Sequence, residues 1–220
     1  MTNVKQRTPK QEDRRHRILS ATRQLVADHG YEGTVMSQVA ESAGVSPTTL
    51  YNLYNTKDEL LLEALRELII ENYQKIDGES KGPGWQYLLR VVENGAWLRG
   101  TNPAYGDAIT NALLRATPGD ALVELLLKNV RYDFRTSLSA MKDRSELLDD
   151  VHIEHLATLM MGNYWSTFIM LNKGVEKNKQ MLLSLQLNLL STLVASTRNP
   201  VSADIAQCLA SLRKTGASDV

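Results

Sequence analysis

The fold of this chain is decided by residues 39–52, which read VAESAGVSPTTLYN. Gly44 separates two short segments, and Ser46 followed by Pro47 is typical of a helix start, because a serine hydroxyl caps the first turn and proline fits the first helical position. Two short helices joined by a turn of three or four residues that contains glycine form a helix-turn-helix, whose second helix enters the major groove of DNA. The stretch predicts this motif.

Helix signals continue on both sides of it. The threonine, proline and glutamine within residues 8–11 predict the start of a first helix over about residues 10–29, which Gly30 ends. Thr34 is expected to cap a short second helix, and Thr56 opens a capping box that starts a long fourth helix. No segment alternates as a strand does, so we predict an all-α protein. Its further helices are expected at about residues 84–99, 103–115, 118–142, 147–173, 176–197 and 201–213.

The predicted motif has an apolar side and a polar side. Its apolar side is expected to be the small core, formed by Val39, Ala40, Ala43, Val45, Leu50 and Leu53. The outward residues are then Pro47, Thr48, Thr49, Tyr51 and Asn52. An asparagine can hydrogen-bond to an adenine edge, and threonine methyls can meet thymine methyls. The third helix contains no Lys or Arg, which excludes the bidentate guanine contact that these side chains make.

Charge is uneven along the chain. The protein has 25 basic and 25 acidic residues, yet residues 1–23 hold seven basic and two acidic ones. A basic end on a neutral protein suggests contact with a polyanion, and Arg14 and Arg15 are our candidates for phosphate contacts. A solubilising tail is the alternative explanation of the same charges.

Composition indicates a folded, soluble protein. The chain has 220 residues, of which 43% are hydrophobic and 23% charged. The single Cys208 favours a reducing compartment. Residues 156–172 and 181–197 lack charge, but each window is too short to span a bilayer as a helix. We therefore expect a cytoplasmic protein without membrane contact.

The motif and its flanks resemble the DNA-binding region of the tetracycline-repressor (TetR/AcrR) family. The resemblance covers about residues 12–62, and the segments that carry it are Gly30–Thr34, Val39–Ser46, Thr49–Tyr54 and Lys57–Leu60. Thr48 departs from the family pattern, where many members have glycine. The resemblance implies a homodimeric, ligand-responsive transcriptional regulator, usually a repressor that a small molecule releases from palindromic, double-stranded operator DNA. It also places Thr34, Ser46, Tyr51 and Lys57 at positions that usually hold phosphates.

The family pattern implies two domains. We expect an N-terminal arm and helix-turn-helix domain over residues 1–56, and a ligand-binding and dimerisation domain over residues 57–220. An apolar or amphipathic effector is expected to contact aromatic and adaptable side chains, for which the candidates are Trp85, Leu89, Trp97, Tyr105, Ile109, Tyr132, Met160, Tyr164 and Phe168.

The two uncharged windows suggest how copies of the chain associate. They contain more apolar surface than one small domain needs, and in the family the last two long helices form a four-helix bundle with a partner. The candidate dimer residues are Leu156, Met160, Asn163, Leu185, Leu189 and Thr192. Burial in the core of a monomer is the alternative explanation of these windows.

A ligand- or metal-binding helical protein or an enzyme is the alternative from another class. His152 and His155 lie three residues apart beside acidic residues, which makes a divalent metal site conceivable. Acidic residues at a helix start are more often partners of the helix dipole. The sequence has no nucleophile-elbow, phosphate-loop or zinc-protease motif, so we predict no catalysis, no metal and no cofactor.

Overall fold

A computed structural model describes residues 8–79, 82–101, 103–115 and 117–217. In these ranges the chain forms ten helices and no named strand, which confirms the all-α prediction. The helices are α1 (Pro9–Gly33), α2 (Met36–Ser42), α3 (Pro47–Leu53), α4 (Lys57–Glu79), α5 (Trp85–Thr101), α6 (Pro103–Arg115), α7 (Ala121–Asp143), α8 (Ile153–Asn172), α9 (Met181–Val194) and α10 (Val201–Ala217). The part of the basic arm before residue 8 lies outside the described residues.

The helix boundaries confirm some sequence signals and correct others. Thr8 forms the predicted capping box with Gln11, and Gly30 breaks α1 with a φ of 70°. Thr34 does not cap α2, because its hydroxyl donates to the Gly30 carbonyl at 2.8 Å and Val35 occupies the N-cap position. The starts predicted near residues 147 and 176 were wrong by six and five residues, since α8 begins at Ile153 and α9 at Met181.

The chain divides into two compact units. The first comprises Met1–Glu71 and Asn102–Thr117, and the second comprises Asn72–Thr101 and Pro118–Val220. This division differs from the boundary expected after residue 56, because the first part of α4 and all of α6 join the first unit. The assignment of functions to residues 1–56 and 57–220 stays a prediction.

A small apolar core holds the first unit together. Ile18 and Leu19 of α1 pack against Val39 of α2, Leu50 of α3 and Leu60 of α4. All five side chains are at most 1% exposed. Four helices therefore share one core, and the orientation of the short α3 is fixed by α1 and α4 as well as by α2.

The second unit has a larger core between α5, α7, α8, α9 and α10. Phe134 of α7 meets the ring of Tyr164 of α8 edge to face, with centroids 6.4 Å apart, and Phe168 packs on the same tyrosine at 4.9 Å. An isolated antiparallel bridge joins Leu147 to Thr197 and ties the segment before α8 to the end of α9. These contacts define the interior of this unit.

Gly95 of α5 makes room for the Tyr164 side chain. A Cβ atom built on Gly95 would overlap the Tyr164 hydroxyl. Burial raises the pKa of that hydroxyl, and the nearby negative charge of Asp133 raises it further. The absence of a side chain at residue 95 is therefore what allows α5 and α8 to hold this tyrosine between them.

We predict that Gly95→Ala lowers the free energy of unfolding by about 1–3 kcal/mol, the usual effect of overpacking a core. Chemical denaturation monitored by circular dichroism measures this change. Gly100→Ala is the matched control on α5, because a Cβ there meets nothing within 4 Å, and alanine at a helical position stabilises by about 0.5–1 kcal/mol relative to glycine.

Adding Tyr164→Phe to Gly95→Ala removes the hydroxyl that the new methyl group meets, so the double variant should recover part of the lost stability. Strictly additive effects of the two substitutions would contradict the proposed clash.

Candidate nucleic-acid interface

The turn between α2 and α3 is held by backbone geometry and by one arginine. Gly44 has a φ of 63°, in the left-handed region that favours glycine, and the Val45 amide donates to the Ala40 carbonyl at 2.9 Å. The Arg17 guanidinium of α1 donates to the Ala43 carbonyl, and its Nη1 lies 3.2 Å from where a Cβ of residue 44 would be. Glycine is therefore favoured at residue 44 both by the positive φ and by the closeness of the Arg17 side chain.

The start of α3 is capped by the residue that the sequence indicates. Ser46 Oγ accepts the backbone N–H of Thr49 at 3.1 Å, and the Ser46 and Thr49 hydroxyl oxygens lie 2.8 Å apart. Pro47 occupies the first helical position. The Ser46 hydroxyl therefore fixes the first turn of α3 in addition to being exposed at the surface.

The exposed side of α3 carries the predicted reading residues. Pro47, Thr48 and Asn52 are exposed, Tyr51 is 51% exposed and Thr49 is partly buried, whereas Leu50 is fully buried. We call α2, the turn and α3 (residues 36–53) the reading head. Leu53, expected in the core, is 45% exposed at the last position of α3, where the helix ends.

Lys57 is anchored to a tyrosine that sequence reasoning did not select. Its Nζ donates to the Tyr31 carbonyl at 2.9 Å and lies 4.2 Å from the centre of the Tyr31 ring. The Tyr31 hydroxyl donates to the Asp58 carboxylate. No local pattern in the sequence predicts this contact, because it depends on how α1 packs against α4.

Three other candidates for phosphate contact are less accessible than the exposed residues of α3. Thr34 is 3% exposed. The Arg15 guanidinium binds the carboxylates of Glu63 and Glu67 of α4 at 2.9 and 2.7 Å, and its side chain is 15% exposed. Arg14 is partly buried. The structure thus exposes most of the α3 candidates, leaves Lys57 partly buried beside Tyr31, and assigns Arg15 to an interhelical ion pair.

The comparisons with known proteins identify this arrangement. Residues 18–64 match the family model described as "Bacterial regulatory proteins, tetR family". Residues 18–64 are thus a DNA-binding region of the TetR type. The transcriptional repressor KstR of Rhodococcus jostii is 41% identical over 73 residues, which make up 33% of this chain and 32% of that protein. The chain spans about a third to a half of the length of the curated relatives it matches first.

Solved structures of TetR regulators share the fold of this chain. A TetR regulator from Haloarcula marismortui has a TM-score of 0.70 at 20% identity, over 85% of this chain and all of that one. FadR of Bacillus subtilis, solved in complex with stearoyl-CoA, has a TM-score of 0.67 at 16% identity, over 79% of this chain and 97% of that one. At these identities the likeness concerns the fold alone.

The ligand candidates do not form one site. Tyr105 and Ile109 are buried in α6, within the first unit. In the second unit, Trp97 is 51% and Tyr132 67% exposed. Trp85 and Leu89 pack at the edge of the core, and Phe168 packs on Tyr164. A narrow cleft with a free volume of about 10 Å³ is lined by Val92, Phe134, Met160, Asn163, Tyr164, Leu185, Asn188 and Leu189.

The dimer candidates lie mostly inside the second unit. Leu156, Met160, Leu185 and Leu189 are at most 9% exposed, so their side chains belong to the core of this chain and leave little area for a partner. Asn163 donates to the Thr192 hydroxyl at 3.5 Å, between α8 and α9. The exposed apolar side chains of these two helices are others: Leu159, Met170 and Leu182.

The part of the chain that the structure describes contains neither a cluster of metal-ligating residues nor a membrane-spanning helix. The rings of His152 and His155 stack with centroids 4.3 Å apart. Among the described residues, no group of three or more histidines, cysteines, aspartates or glutamates is placed to hold a metal ion. No helix within those residues has the length and apolar character needed to cross a membrane.

We predict that Ser46→Ala lowers the free energy of unfolding by about 1 kcal/mol, because it removes the N-cap of α3. Thermal or urea unfolding measures the loss. Ser42→Ala, at the exposed end of α2, is the matched control and should change stability by less than about 0.5 kcal/mol. Equal effects of the two substitutions would show that the Ser46 hydroxyl does not cap α3.

Proposed function

We propose that this protein is a transcriptional regulator that binds a palindromic operator as a homodimer and leaves it when a small molecule binds. The observation that carries the proposal is the exposed side of α3, where Thr48, Tyr51 and Asn52 lie on a short helix fixed by a buried core. This helix has the size and exposure that entry into a major groove requires.

The exposed side of α3 carries polar and apolar groups that can contact base edges, but no charged side chain. Asn52 is exposed and can pair with adenine N6 and N7, and the Thr48 methyl can meet a thymine methyl. Affinity must then come largely from phosphate contacts, because these supply the sequence-independent part of binding. Lys57 beside Tyr31 and the exposed Lys10 and Arg17 of α1 are the cations that we assign to this role.

Pairing of two copies follows from the small size of the reading head. One short helix contacts too few base pairs to select a site, and two-fold pairing doubles the contacts. Leu159 and Met170 of α8 and Leu182 of α9 are 55%, 43% and 41% exposed. Large apolar side chains exposed on two helices that contact each other suit a surface that a partner covers. We propose that α8 and α9 pair through these residues.

The effector site is proposed in the cleft between α5, α7, α8 and α9. Met160 and Tyr164, both candidates from the sequence, line it together with six other residues, and none of the eight is charged. An apolar or amphipathic molecule suits such a lining. The likeness in fold to FadR, solved with stearoyl-CoA, supports a small-molecule effector of some kind. Binding would favour a conformation in which the two reading heads no longer fit the operator. The protein would then leave the DNA when the small molecule binds, as a repressor does.

A selection from random duplexes followed by gel-shift titration tests DNA binding by the full chain. A palindromic consensus supports the proposal, and the absence of any enriched sequence contradicts it.

We predict that Asn52→Ala weakens binding to the selected operator by about 1–3 kcal/mol and relaxes the preference at one base position of each half-site. Gel-shift titration against operators altered at each position measures both effects. Asn178→Ala, in the exposed segment before α9, is the control and should leave affinity unchanged. Uniform loss of affinity at all positions would indicate that Asn52 contacts no base.

We predict that Leu159→Glu raises the dissociation constant of the dimer about tenfold or more, because it places a charge in the proposed apolar interface. Sedimentation equilibrium measures the constant. Val175→Glu is the control, since Val175 is 73% exposed in the segment after α8. If both variants associate as the natural protein does, the pairing surface lies elsewhere.

A further inference from the structure

Glu67 of α4 joins two arginines of α1. Its Oε1 accepts Arg15 Nη1 at 2.7 Å, and its Oε2 accepts Arg23 Nη1 at 2.8 Å. Arg15 also donates to Glu63, one turn earlier on α4, at 2.9 Å. Both oxygens of one carboxylate are therefore used, each by a different arginine.

These ion pairs are shielded from water. The side chains of Arg15 and Arg23 are 15% exposed and that of Glu67 is 11% exposed. Burial alone lowers the pKa of Arg15, but the hydrogen bond to Glu63 and the charges of Glu67 and Glu63 outweigh it, so the pKa is raised overall. Coulomb attraction is less screened here than at a surface, and removal of one partner leaves a poorly solvated charge.

Because the two arginines are far apart along α1, their contacts with Glu67 constrain the orientation of α1 on α4. Arg15 and Arg23 are eight residues apart, so their Cα atoms are separated by about 12 Å along the axis of α1. The shared apolar core already joins α1 to α4, and two polar contacts at this separation further restrict the rotation of one helix against the other. Arg23 also donates to the Ala64 carbonyl at 3.3 Å, which anchors it to the backbone of α4.

The same arginine lies near a third helix of this unit. Tyr105 of α6 is 4% exposed, and burial raises the pKa of its hydroxyl while the positive charge of Arg23 opposes that rise. Arg23 therefore lies close to α4 and α6 at once. A third arginine of α1, Arg17, donates to the Ala43 carbonyl in the turn of the reading head.

We propose that Glu67 is a positioning residue that sets which separation of operator half-sites the dimer accepts. This inference rests on the proposed function. The ion pairs fix α1 on α4, and α1 fixes the reading head through Arg17 and the shared core. Two reading heads meet successive major grooves only at one separation, about 34 Å along the duplex. A head that rotates on α4 samples several separations and discriminates less among them.

The experiment compares the natural protein with Glu67→Gln, which keeps the shape of the side chain and removes its charge. Each protein is titrated against the selected operator and against operators whose spacer is one base pair longer or shorter. Glu124→Gln is the matched control, because Glu124 is exposed on α7 and its loss changes the net charge equally. Melting temperature and the salt dependence of binding are measured for all three.

We expect the preference for the natural spacing to fall about tenfold in Glu67→Gln, which corresponds to about 1.4 kcal/mol. The slope of affinity against salt should stay the same, because no phosphate contact is removed. A merely structural role would lower the melting temperature and weaken binding at every spacing by the same factor. That uniform result would overturn the inference.

A milder variant decides the matter if Glu67→Gln does not fold. Arg23→Gln leaves the contacts of Arg15 with Glu63 and Glu67 intact, and it should lower the spacing preference about threefold through loss of the second contact. Unchanged spacing preference in a folded Arg23→Gln would overturn the inference.

The two proposals fail in different ways. If the natural protein selects a palindrome and the variants keep its spacing preference, only the inference about Glu67 fails. If the natural protein selects no sequence, the proposed function fails as well.

Discussion

The docking of α3 onto α1, α2 and α4 is the constraint on which the rest of the DNA-binding unit depends. Leu50 is the buried residue of a helix only seven residues long, and a helix of that length is not stable alone in water. Its orientation comes from Ile18 and Leu19 of α1 and Leu60 of α4, together with the left-handed turn at Gly44. Because the apolar side of α3 is fixed in this way, its opposite side can consist entirely of residues that face water.

Local signals explain why so much of this unit was predictable from the sequence. The capping box at Thr8, the break at Gly30, the turn at Gly44 and the cap at Ser46 each depend on residues close together in the chain. The same short range explains the resemblance to the TetR family, which rests on residues in this region. The errors at Thr34 and Leu53 concern which way a side chain points at the end of a short helix, and that depends on packing with other helices.

Contacts between distant residues could not be predicted in the same way. Arg15 was selected for its charge, but its partners are 48 and 52 residues away on α4. Tyr31 gave no signal, since its contact with Lys57 requires α1 and α4 to meet. In the second unit, the apolar character of α8 and α9 was evident, yet residues such as Leu156 and Leu185 face the core and Leu159 faces water. An all-round apolar helix has too little periodicity to separate these sides.

The small volume of the cleft between α5, α7, α8 and α9 has a kinetic consequence. Its free volume is about 10 Å³, far below the roughly 300–1,000 Å³ that is common for ligand pockets, and the rings of Tyr164, Trp165 and Phe168 pack closely beside it. A molecule larger than the cleft enters only after these rings rearrange. Its association rate would then level off with rising concentration at the rate of that rearrangement, and its apparent affinity would be reduced by the fraction of molecules that are open.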